Sequence, residues 1–334
     1  MAARVQDQLD VLCITYNRAD DLDRTLAQLS DSPVAGCRIT VLDNASTDRT
    51  PEVCAAYHQR LANLRTIRHP KNIGASANYL RAVELSSAPY TWIICDDDAY
   101  DFERFGDVLE ALASERYDLV SLGAASDHRW AAGVASTTVE LRGTHPGFHF
   151  VHSFAPSLIF RTELFGAQEV IEGYRAAHTL FPHFPFLTSC ATAPRSIYVA
   201  RKQVLFRNEG QNVLTPLRFL AFWLDACATI ADRDLRRQVV YEAFWLDEPG
   251  YRRRFVGFVA GAIAFERLEH PERLAHELET ILHGASGDQR LLLAGLLPLA
   301  LLPRGVYGAV RRRRHRAAGT AAQEFAGDGD PLRL

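Results

Sequence analysis

In the first third of the chain, short apolar runs alternate with segments in which apolar residues recur at the spacing of a helix. Five short apolar runs occur in this region, at about residues 9–15, 38–42, 64–68, 90–95 and 118–122. Each run has the length of a buried strand. Between the runs, apolar residues recur every three to four positions, as Leu22, Leu26 and Leu29 do, which predicts amphipathic helices. Strands that alternate with helices predict an α/β fold with a mainly parallel sheet of the nucleotide-binding type.

The pattern changes twice along the rest of the chain. Residues 124–212 are less regular, with strand candidates only at 157–160 and 204–207, and irregular segments beside a rigid sheet commonly build binding sites. After Pro216 the chain shows five helical patterns without clear strands, at about 217–230, 235–245, 252–268, 272–283 and 289–302.

Length and composition are those of an ordinary globular protein. The 334 residues suffice for two domains. We predict an α/β domain over residues 1–212, a helical subdomain over 213–316 and a disordered tail over 317–334, which is rich in Ala, Gly and Asp. The net charge of −3 gives no support to a nucleic-acid partner.

Several features favour a cytoplasmic location. The six cysteines form no CxxC pair, which indicates a reduced protein with buried thiols. Residues 1–10 are polar and lack the apolar core of a signal peptide. The longest apolar stretch, residues 291–302, contains Pro298 and is shorter than the ~20 residues that span a bilayer.

Four polar motifs follow the predicted strands or begin a predicted helix. They are Thr15-Tyr16-Asn17-Arg18, Asp43-Asn44-Ala45-Ser46-Thr47-Asp48, Asn72-Ile73-Gly74 with Asn78, and Asp96-Asp97-Asp98. Because the carboxyl ends of parallel strands share one edge of a sheet, ligands collect there, and carboxylates are hard donors for a divalent metal. The motifs therefore predict a site for a phosphate-bearing ligand.

Each motif alone has a purely structural alternative. An acidic cluster after an apolar run can be a solvated turn. Asn72 and Gly74 can form a tight turn. Asp48 suits a helix cap because Pro51 follows closely, and Asp20 or Asp21 is available as the cap of the first long helix.

In combination and order, the four motifs resemble those of family-2 glycosyltransferases with the Rossmann-like GT-A fold, over about residues 9–210. The resemblance implies a nucleotide pocket lined by Thr15, Tyr16, Asn17, Arg18, Asn72, Gly74 and Asn78. It implies that Asp43 accepts a hydrogen bond from the imide of uracil or thymine. Asp96 would hold the ribose and, with Asp98, a Mn²⁺ or Mg²⁺ ion, while Asp97 would point away from the metal or bind through water.

The catalytic base is where the sequence departs from the family pattern. Members usually invert the anomeric centre, so one side chain must take the acceptor's proton. Many carry a Glu-Asp pair late in the domain, but residues 178–185 contain no acid. His183, His178 and Glu172 are the candidates, and a histidine packed among Phe and Pro is the alternative. Arg207 either faces phosphate or brackets a strand end.

The resemblance implies transfer of a single hexosyl or deoxyhexosyl group, because the Gln-x-x-Arg-Trp motif of processive synthases is absent. The expected donor is a UDP or dTDP sugar. The expected acceptor is a hydroxyl group of a lipid-linked surface glycan or, failing that, of a natural-product aglycone. A sugar-1-phosphate nucleotidyltransferase needs a Gly-rich first loop that the chain lacks. A non-catalytic sugar-nucleotide-binding or scaffold protein is the main alternative.

The C-terminal region allows two interpretations. The Leu-rich residues 291–302, followed by Arg311–Arg314, can lie against an anionic membrane face. Alternatively, they are a buried helix followed by a solvated basic end.

Overall fold

The structure is a computed structural model that describes residues 5–122, 133–145, 147–206, 215–244, 249–285 and 287–303. The chain divides into two compact units, residues 1–210 and 211–334. The predicted tail at 317–334 and Arg207 lie outside the described residues.

The strands of the first unit are β1 (Leu9–Thr15), β2 (Arg38–Asp43), β3 (Leu64–Arg68), β4 (Tyr90–Cys95), β5 (Ala99–Tyr100), β6 (Leu119–Ser121), β7 (Val134–Thr137), β8 (Leu158–Arg161), β9 (Ser196–Val199) and β10 (Leu205–Phe206). Its helices are α1 (Val5–Gln8), α2 (Ala19–Ser30), α3 (Thr50–Tyr57), α4 (Ala75–Leu85), α5 (Gly106–Ala113), α6 (Thr138–Thr144), α7 (Phe148–His152), α8 (Ala167–Arg175) and α9 (Phe184–Thr192). Short 3₁₀ turns occupy Phe102–Arg104, Ala155–Ser157, Thr162–Leu164 and Ala177–Thr179.

Eight of the described strands form one sheet in the order β3-β2-β1-β4-β8-β6-β9-β7. The first four are parallel, as are β6 and β9, whereas β8 runs antiparallel to both β4 and β6. β7 is antiparallel to β9, and β5 and β10 form a separate antiparallel pair. The predicted α/β fold with a mainly parallel sheet is confirmed.

Helices pack against both faces of the large sheet. Successive side chains along each strand point to opposite faces, so one strand contributes to two core clusters. Val11 and Cys13 belong to a core cluster that includes Leu22 and Leu26 of α2. Leu12, between them in sequence, belongs to a second cluster with Leu80 of α4. The parallel strands are thus buried on both faces, which explains their continuous apolar runs.

Residues 133–206 contain more regular structure than the sequence pattern predicts. β7 and β9 have four residues each, and α7 has five. Elements this short leave little periodicity to detect. Tertiary pairing rather than local propensity stabilises them, as β9 lies between β6 and β7.

The described helices of the second unit are α10 (Pro216–Ala228), α11 (Arg233–Glu242), α12 (Tyr251–Glu269), α13 (Leu274–Gly284) and α14 (Gly287–Ala300). The first two begin at side-chain caps: Thr215 accepts from the amide of Arg218, and Asp232 accepts from those of Asp234 and Leu235. The indole of Trp223, fully buried, donates to the carbonyl of Val240 at 3.1 Å and joins α10 to α11. These helices correspond to the five predicted helical patterns.

All six cysteines are free thiols in the structure. Among the helices of the described ranges, none combines the length and the apolar character needed to cross a bilayer.

Asp10 joins three segments at the amino-terminal edge of the parallel strands. Its buried carboxylate accepts two hydrogen bonds from Arg38, at 2.6 and 2.7 Å, and two from the amides of Ser87 and Ala88, at 2.8 and 2.9 Å. Asp10→Ala should lower the free energy of unfolding by about 3 kcal/mol, because it leaves Arg38 and both amides without their acceptor. A urea titration measures the loss.

The control is Asp20→Ala, which removes a pair with Arg49 that is exposed on both sides. This substitution should change stability little, since exposed ion pairs contribute little. Equal losses in the two variants would contradict the role given to Asp10.

Candidate functional site

Three of the predicted motifs meet where the parallel strands end. β1 lies between β2 and β4, with Thr15 opposite Asp43 and Ile14 opposite Cys95. The loops that follow these three strands therefore start side by side. This register brings the first motif, the Asp43 motif and the acidic triplet to one edge of the sheet.

The first two loops are joined by side-chain hydrogen bonds. Asn17, at a left-handed φ of 51°, accepts from the amide of Thr47 at 2.7 Å, and its own amide donates to the Ser46 hydroxyl at 2.9 Å. Asp48 accepts from the amides of Ala19 and Thr50, at 2.9 and 3.1 Å, and so ties the starts of α2 and α3. The cap predicted for α2 at Asp20 or Asp21 is wrong, because Asp48 supplies it from the neighbouring loop.

Asp43 lies at the end of β2 and is 1% exposed. One carboxylate oxygen accepts from the amide of Ser46 at 2.8 Å, and the other lies 3.5 Å from Nε of Arg68. Arg68 also donates to the carbonyl of Ser46 at 2.6 Å. Tyr16, in contrast, exposes 42% of its surface at the same edge.

The loop before α4 is a tight turn. The Asn72 side-chain oxygen accepts from the Gly74 amide at 2.8 Å and from the Asn44 side chain at 2.9 Å. Gly74 has a φ of 88°, which strains any residue with a Cβ. Asn78 donates to the carbonyl of Leu42 at 3.1 Å, which anchors α4 to the end of β2. The third motif is thus brought to the same sheet edge as the other three.

The acidic triplet is mostly buried. Asp96 and Asp98 are 4% and 5% exposed. Arg18 forms ion pairs with Asp97 and with Asp96, the latter at 3.4 Å. One ligand atom each from Cys95, Asp97 and Asp98 lie within 4.8 Å of one another. The two carboxylates of this group fit Mn²⁺ or Mg²⁺, which prefer oxygen, whereas the Cys95 sulfur is a softer donor.

Several acidic side chains lie close together at the end of β4, and burial and this proximity change the pKa values of the groups there. Burial raises the pKa of Asp96 to about 7, although the Thr15 hydroxyl and Arg18 oppose the rise. Burial raises the pKa of the Cys95 thiol well above its ordinary value, and Asp98, Asp97 and Asp96 raise it further. A site that disfavours further negative charge favours a bound cation.

Two residues of α2 hold the backbone of the acidic loop. The Thr25 hydroxyl donates to the carbonyl of Asp96 at 2.8 Å. The Gln28 amide group donates to the carbonyl of Asp98 at 3.2 Å and accepts from the amide of Tyr100 at 2.8 Å. Sequence reasoning missed both residues. The available signal was Thr25 itself, a polar residue beside Leu22 and Leu26 on the inner face of α2.

The candidate bases lie in different environments. His183 is 4% exposed, donates from Nε2 to the carbonyl of His152 at 3.1 Å and lies 5.2 Å from the ring of Tyr79. Burial lowers its pKa to about 4. Burial also raises the pKa of the Tyr79 hydroxyl, and Cys95 raises it further.

The other two candidates are nearer the surface. Glu172, on α8, pairs with Arg175, and its other contact is with the Gln168 amide at 3.0 Å. His178 is exposed and donates from Nδ1 to the carbonyl of Arg175 at 3.0 Å. Glu172 and His178 thus contact residues of α8, whereas His183 is packed against a tyrosine of α4.

Comparison with known proteins identifies the sheet. Residues 10–132 match the family model described as Glycosyl transferase family 2. The succinoglycan biosynthesis protein ExoU of Rhizobium meliloti is 27% identical over 109 residues, 33% of this chain and 32% of that protein. The chain thus spans about a third of the length of this curated relative.

Three solved structures, two of TarS and one of a mannosyltransferase, share the fold at 15% sequence identity. TarS of S. aureus superimposes with a TM-score of 0.58 over 88% of this chain and 53% of TarS, and its fragment 1–349 in complex with UDP gives 0.53 over 92% and 91%. Mannosyltransferase PcManGT from Pyrobaculum calidifontis, in complex with GDP-Man and Mn²⁺, gives 0.53 over 96% and 88%. The region with its four motifs gathered at one sheet edge thus matches the model of glycosyl transferase family 2, and the chain has the GT-A fold.

Proposed function

We propose that the protein is a metal-dependent, inverting glycosyltransferase that moves one hexosyl or deoxyhexosyl group from a nucleoside diphosphate sugar to a hydroxyl acceptor. The observation that carries the proposal is the register of β1, β2 and β4, which gathers Thr15, Asp43 and the acidic triplet at one edge. The family match of residues 10–132 supports the same activity.

The donor nucleotide lies along this edge in the proposal. Asp43, at the end of β2, accepts a hydrogen bond from the nucleobase. The residues that line the pocket at the end of β1 are Thr15, Tyr16, Asn17 and Arg18. The Asn72–Asn78 segment borders it. A carboxylate accepts a hydrogen bond from the imide of uracil or thymine, which favours UDP or dTDP. TarS with UDP and PcManGT with GDP-Man show that the shared fold holds either kind of base.

Asp98 binds a Mn²⁺ or Mg²⁺ ion in this proposal, with Asp97 or Asp96 beside it. The donor set around Asp97 and Asp98 and the crowded negative charge support a cation there. When bound, such an ion neutralises the charge that develops on a departing diphosphate. Arg18, which pairs with Asp96 and Asp97 in the described state, is placed to balance their charge and to meet phosphate.

Inversion by direct displacement needs a base for the acceptor hydroxyl. His183, His178 and Glu172 remain the candidates, and the ring of His183 lies 5.2 Å from that of Tyr79 on α4. A pKa of about 4 keeps His183 neutral at pH 7 but makes it a weak base. A base at this position would therefore need a change of environment when substrate binds.

For the acceptor we favour a lipid-linked glycan of a surface polysaccharide, with a natural-product aglycone second. The similarity to a succinoglycan biosynthesis protein supports the first choice. We place the reaction in the cytoplasm, in line with six free thiols. A non-catalytic sugar-nucleotide-binding protein is the alternative, because no acid has been found at the expected position of the base.

Removal of the Asp98 carboxylate tests the donor and metal site. Calorimetry with UDP, dTDP and GDP should show one nucleotide that binds at least about tenfold more tightly with Mn²⁺ present. Asp98→Ala should abolish this metal dependence, because the carboxylate is a proposed metal ligand.

The matched control is Asp101→Ala, which removes another aspartate of the same loop that pairs with Arg104 on the surface. It should bind as the unmodified protein does. If a folded protein binds none of the three nucleotides, the transferase proposal is wrong. Binding without any sugar transfer to an acceptor panel would favour the non-catalytic alternative.

The Thr25 hydroxyl should matter for metal binding, since it holds the backbone between Cys95 and Asp97. Thr25→Val keeps the shape of the side chain but removes the donor to Asp96, and we expect about fivefold weaker Mn²⁺ affinity, the loss of one hydrogen bond. Thr25→Ser keeps the hydroxyl and should restore most of the affinity. Mn²⁺ titration followed by electron paramagnetic resonance measures both.

A purely structural role for Thr25 makes a different prediction. Thermal unfolding would then shift in the valine variant while its Mn²⁺ affinity stayed equal to that of the serine variant. That result would contradict the positioning role.

The buried histidines should make stability depend on pH. Burial lowers the pKa of both His152 and His183 from 6.5 to about 4. Between these values the two histidines bind more protons in the unfolded chain, so their contribution to the free energy of unfolding should fall as pH drops from about 6.5 towards 4, by roughly 3 kcal/mol per histidine. Asp96, whose pKa is raised to about 7, contributes a slope of the opposite sign, so the histidine effect is measured as the difference between variants. Above about pH 6.5 the two residues should contribute no slope.

Urea midpoints recorded across this pH range measure the effect. His183→Gln should remove about half of the histidine-dependent slope, because one titrating group is lost. His178→Gln, on the surface, controls for the loss of an imidazole. An unchanged slope in His183→Gln would refute the assignment.

A further inference from the structure

Helix α14 and the turn after it expose a continuous apolar face. The exposed residues beyond Arg290 are Leu291, Ala294, Gly295, Pro298, Leu301, Leu302 and Pro303. They recur every three to four positions and so lie on one side of the helix. Leu291 and Leu301 expose 77% and 83% of their surface. We call this set the α14 face, and it carries no polar side chain among the described residues.

The rest of α14 is held in place by its own unit. Gln289 and Leu293 are buried on the opposite side, and the helix packs against α12. Arg290 donates to the carbonyls of Leu282 and His283, each at 3.1 Å, and so ties the start of α14 to the end of α13. These contacts hold the α14 face outward, where the leucines meet water.

The charge that follows in sequence indicates what covers this face. Residues 304–316 contain six arginines and no aspartate or glutamate. Leucines that can enter the boundary between headgroups and acyl chains, next to a dense positive charge, match an anionic lipid surface. A second copy of the chain matches less well, because a symmetric dimer would bring the same basic segment from both copies.

The dimensions favour a helix that lies on a membrane rather than one that crosses it. The 14 residues of α14 extend about 21 Å at 1.5 Å per residue, less than the ~30 Å hydrocarbon core. None of the described helices meets the criteria for a membrane span. A shallow contact through one face is what the helix can provide.

We propose that the α14 face binds the surface of an anionic lipid membrane, to which the arginines in the sequence of residues 304–316 are attracted. The contact belongs to the second unit and does not depend on the activity proposed for the first. An enzyme held at such a surface meets lipid-linked acceptors by diffusion in two dimensions.

Co-sedimentation of the full chain with lipid vesicles tests the proposal, without nucleotide, metal or acceptor. The protein should sediment with vesicles of phosphatidylcholine and phosphatidylglycerol and not with phosphatidylcholine alone. Binding should weaken as salt is raised, since arginine attraction to headgroups is screened. The double variant Leu291→Ser and Leu301→Ser should bind at least about tenfold more weakly, because two exposed leucines no longer enter the lipid.

The matched control is Ile171→Ser, which removes an exposed apolar side chain, 48% exposed, from α8 in the first unit. It should sediment as the unmodified protein does. Replacing Arg311–Arg314 by glutamine tests the charge separately and should abolish the preference for phosphatidylglycerol. All substituted positions that the structure describes are exposed, so the variants should fold, and circular dichroism checks this.

Three results would overturn the proposal. The first is no binding to either kind of vesicle by the folded protein. The second is equal binding by the leucine double variant. The third is a dimer in solution that dissociates in the double variant while vesicles bind nothing, which would assign the α14 face to a second copy. Because the assay contains no nucleotide sugar, its outcome is independent of the transferase tests.

Discussion

The parallel pairing of β1 with β2 on one side and β4 on the other is the constraint on which the site depends. This register places Thr15 beside Asp43 and starts the acidic loop next to both. A shift of one residue in either pair would turn each side chain to the opposite face. Buried apolar residues on both faces of β1 make such a shift costly, so the core itself fixes which polar groups meet at the edge.

Around this edge, the structure balances negative charge with few cations. Asp96 and Asp98 are almost completely buried, and Arg18, which follows β1, pairs with Asp96 and with Asp97. Burial in a low dielectric disfavours the charged forms, and the raised pKa values of Asp96 and Cys95 express that cost, to which the neighbouring carboxylates add. The fold tolerates it because the side chains of Asn17, Asn44 and Asp48 accept hydrogen bonds from backbone amides of neighbouring loops and so cross-link them.

The sequence was sufficient for the elements that build the parallel half of the sheet. The predicted bounds of the first and fourth strands agree with β1 and β4, because buried parallel strands are continuous apolar runs with clear ends. The order of the motifs likewise predicted the family. Short elements such as β7 and α7 were missed, since four or five residues carry no usable period.

Contacts between distant segments were harder to foresee. Asp48 caps a helix that begins 29 positions before it, and Gln28 bonds to a carbonyl 70 positions after it. Local rules assign a cap to the nearest acid, which led to Asp20 and Asp21. His183 was expected among Phe and Pro or at the site. It is buried against Tyr79, so its packing is established, while its part in catalysis is still a prediction.

Helix α2 holds the acidic loop through the backbone of the loop, which allows the loop's side chains to vary in sequence. Thr25 and Gln28 bind only backbone groups of residues 96–100, so the path of the loop does not depend on which side chains the loop carries. Substitutions within the triplet can therefore change the charge and the donor atoms at this edge without first requiring a new loop conformation. The shape of the loop and the chemistry of its side chains can thus vary independently.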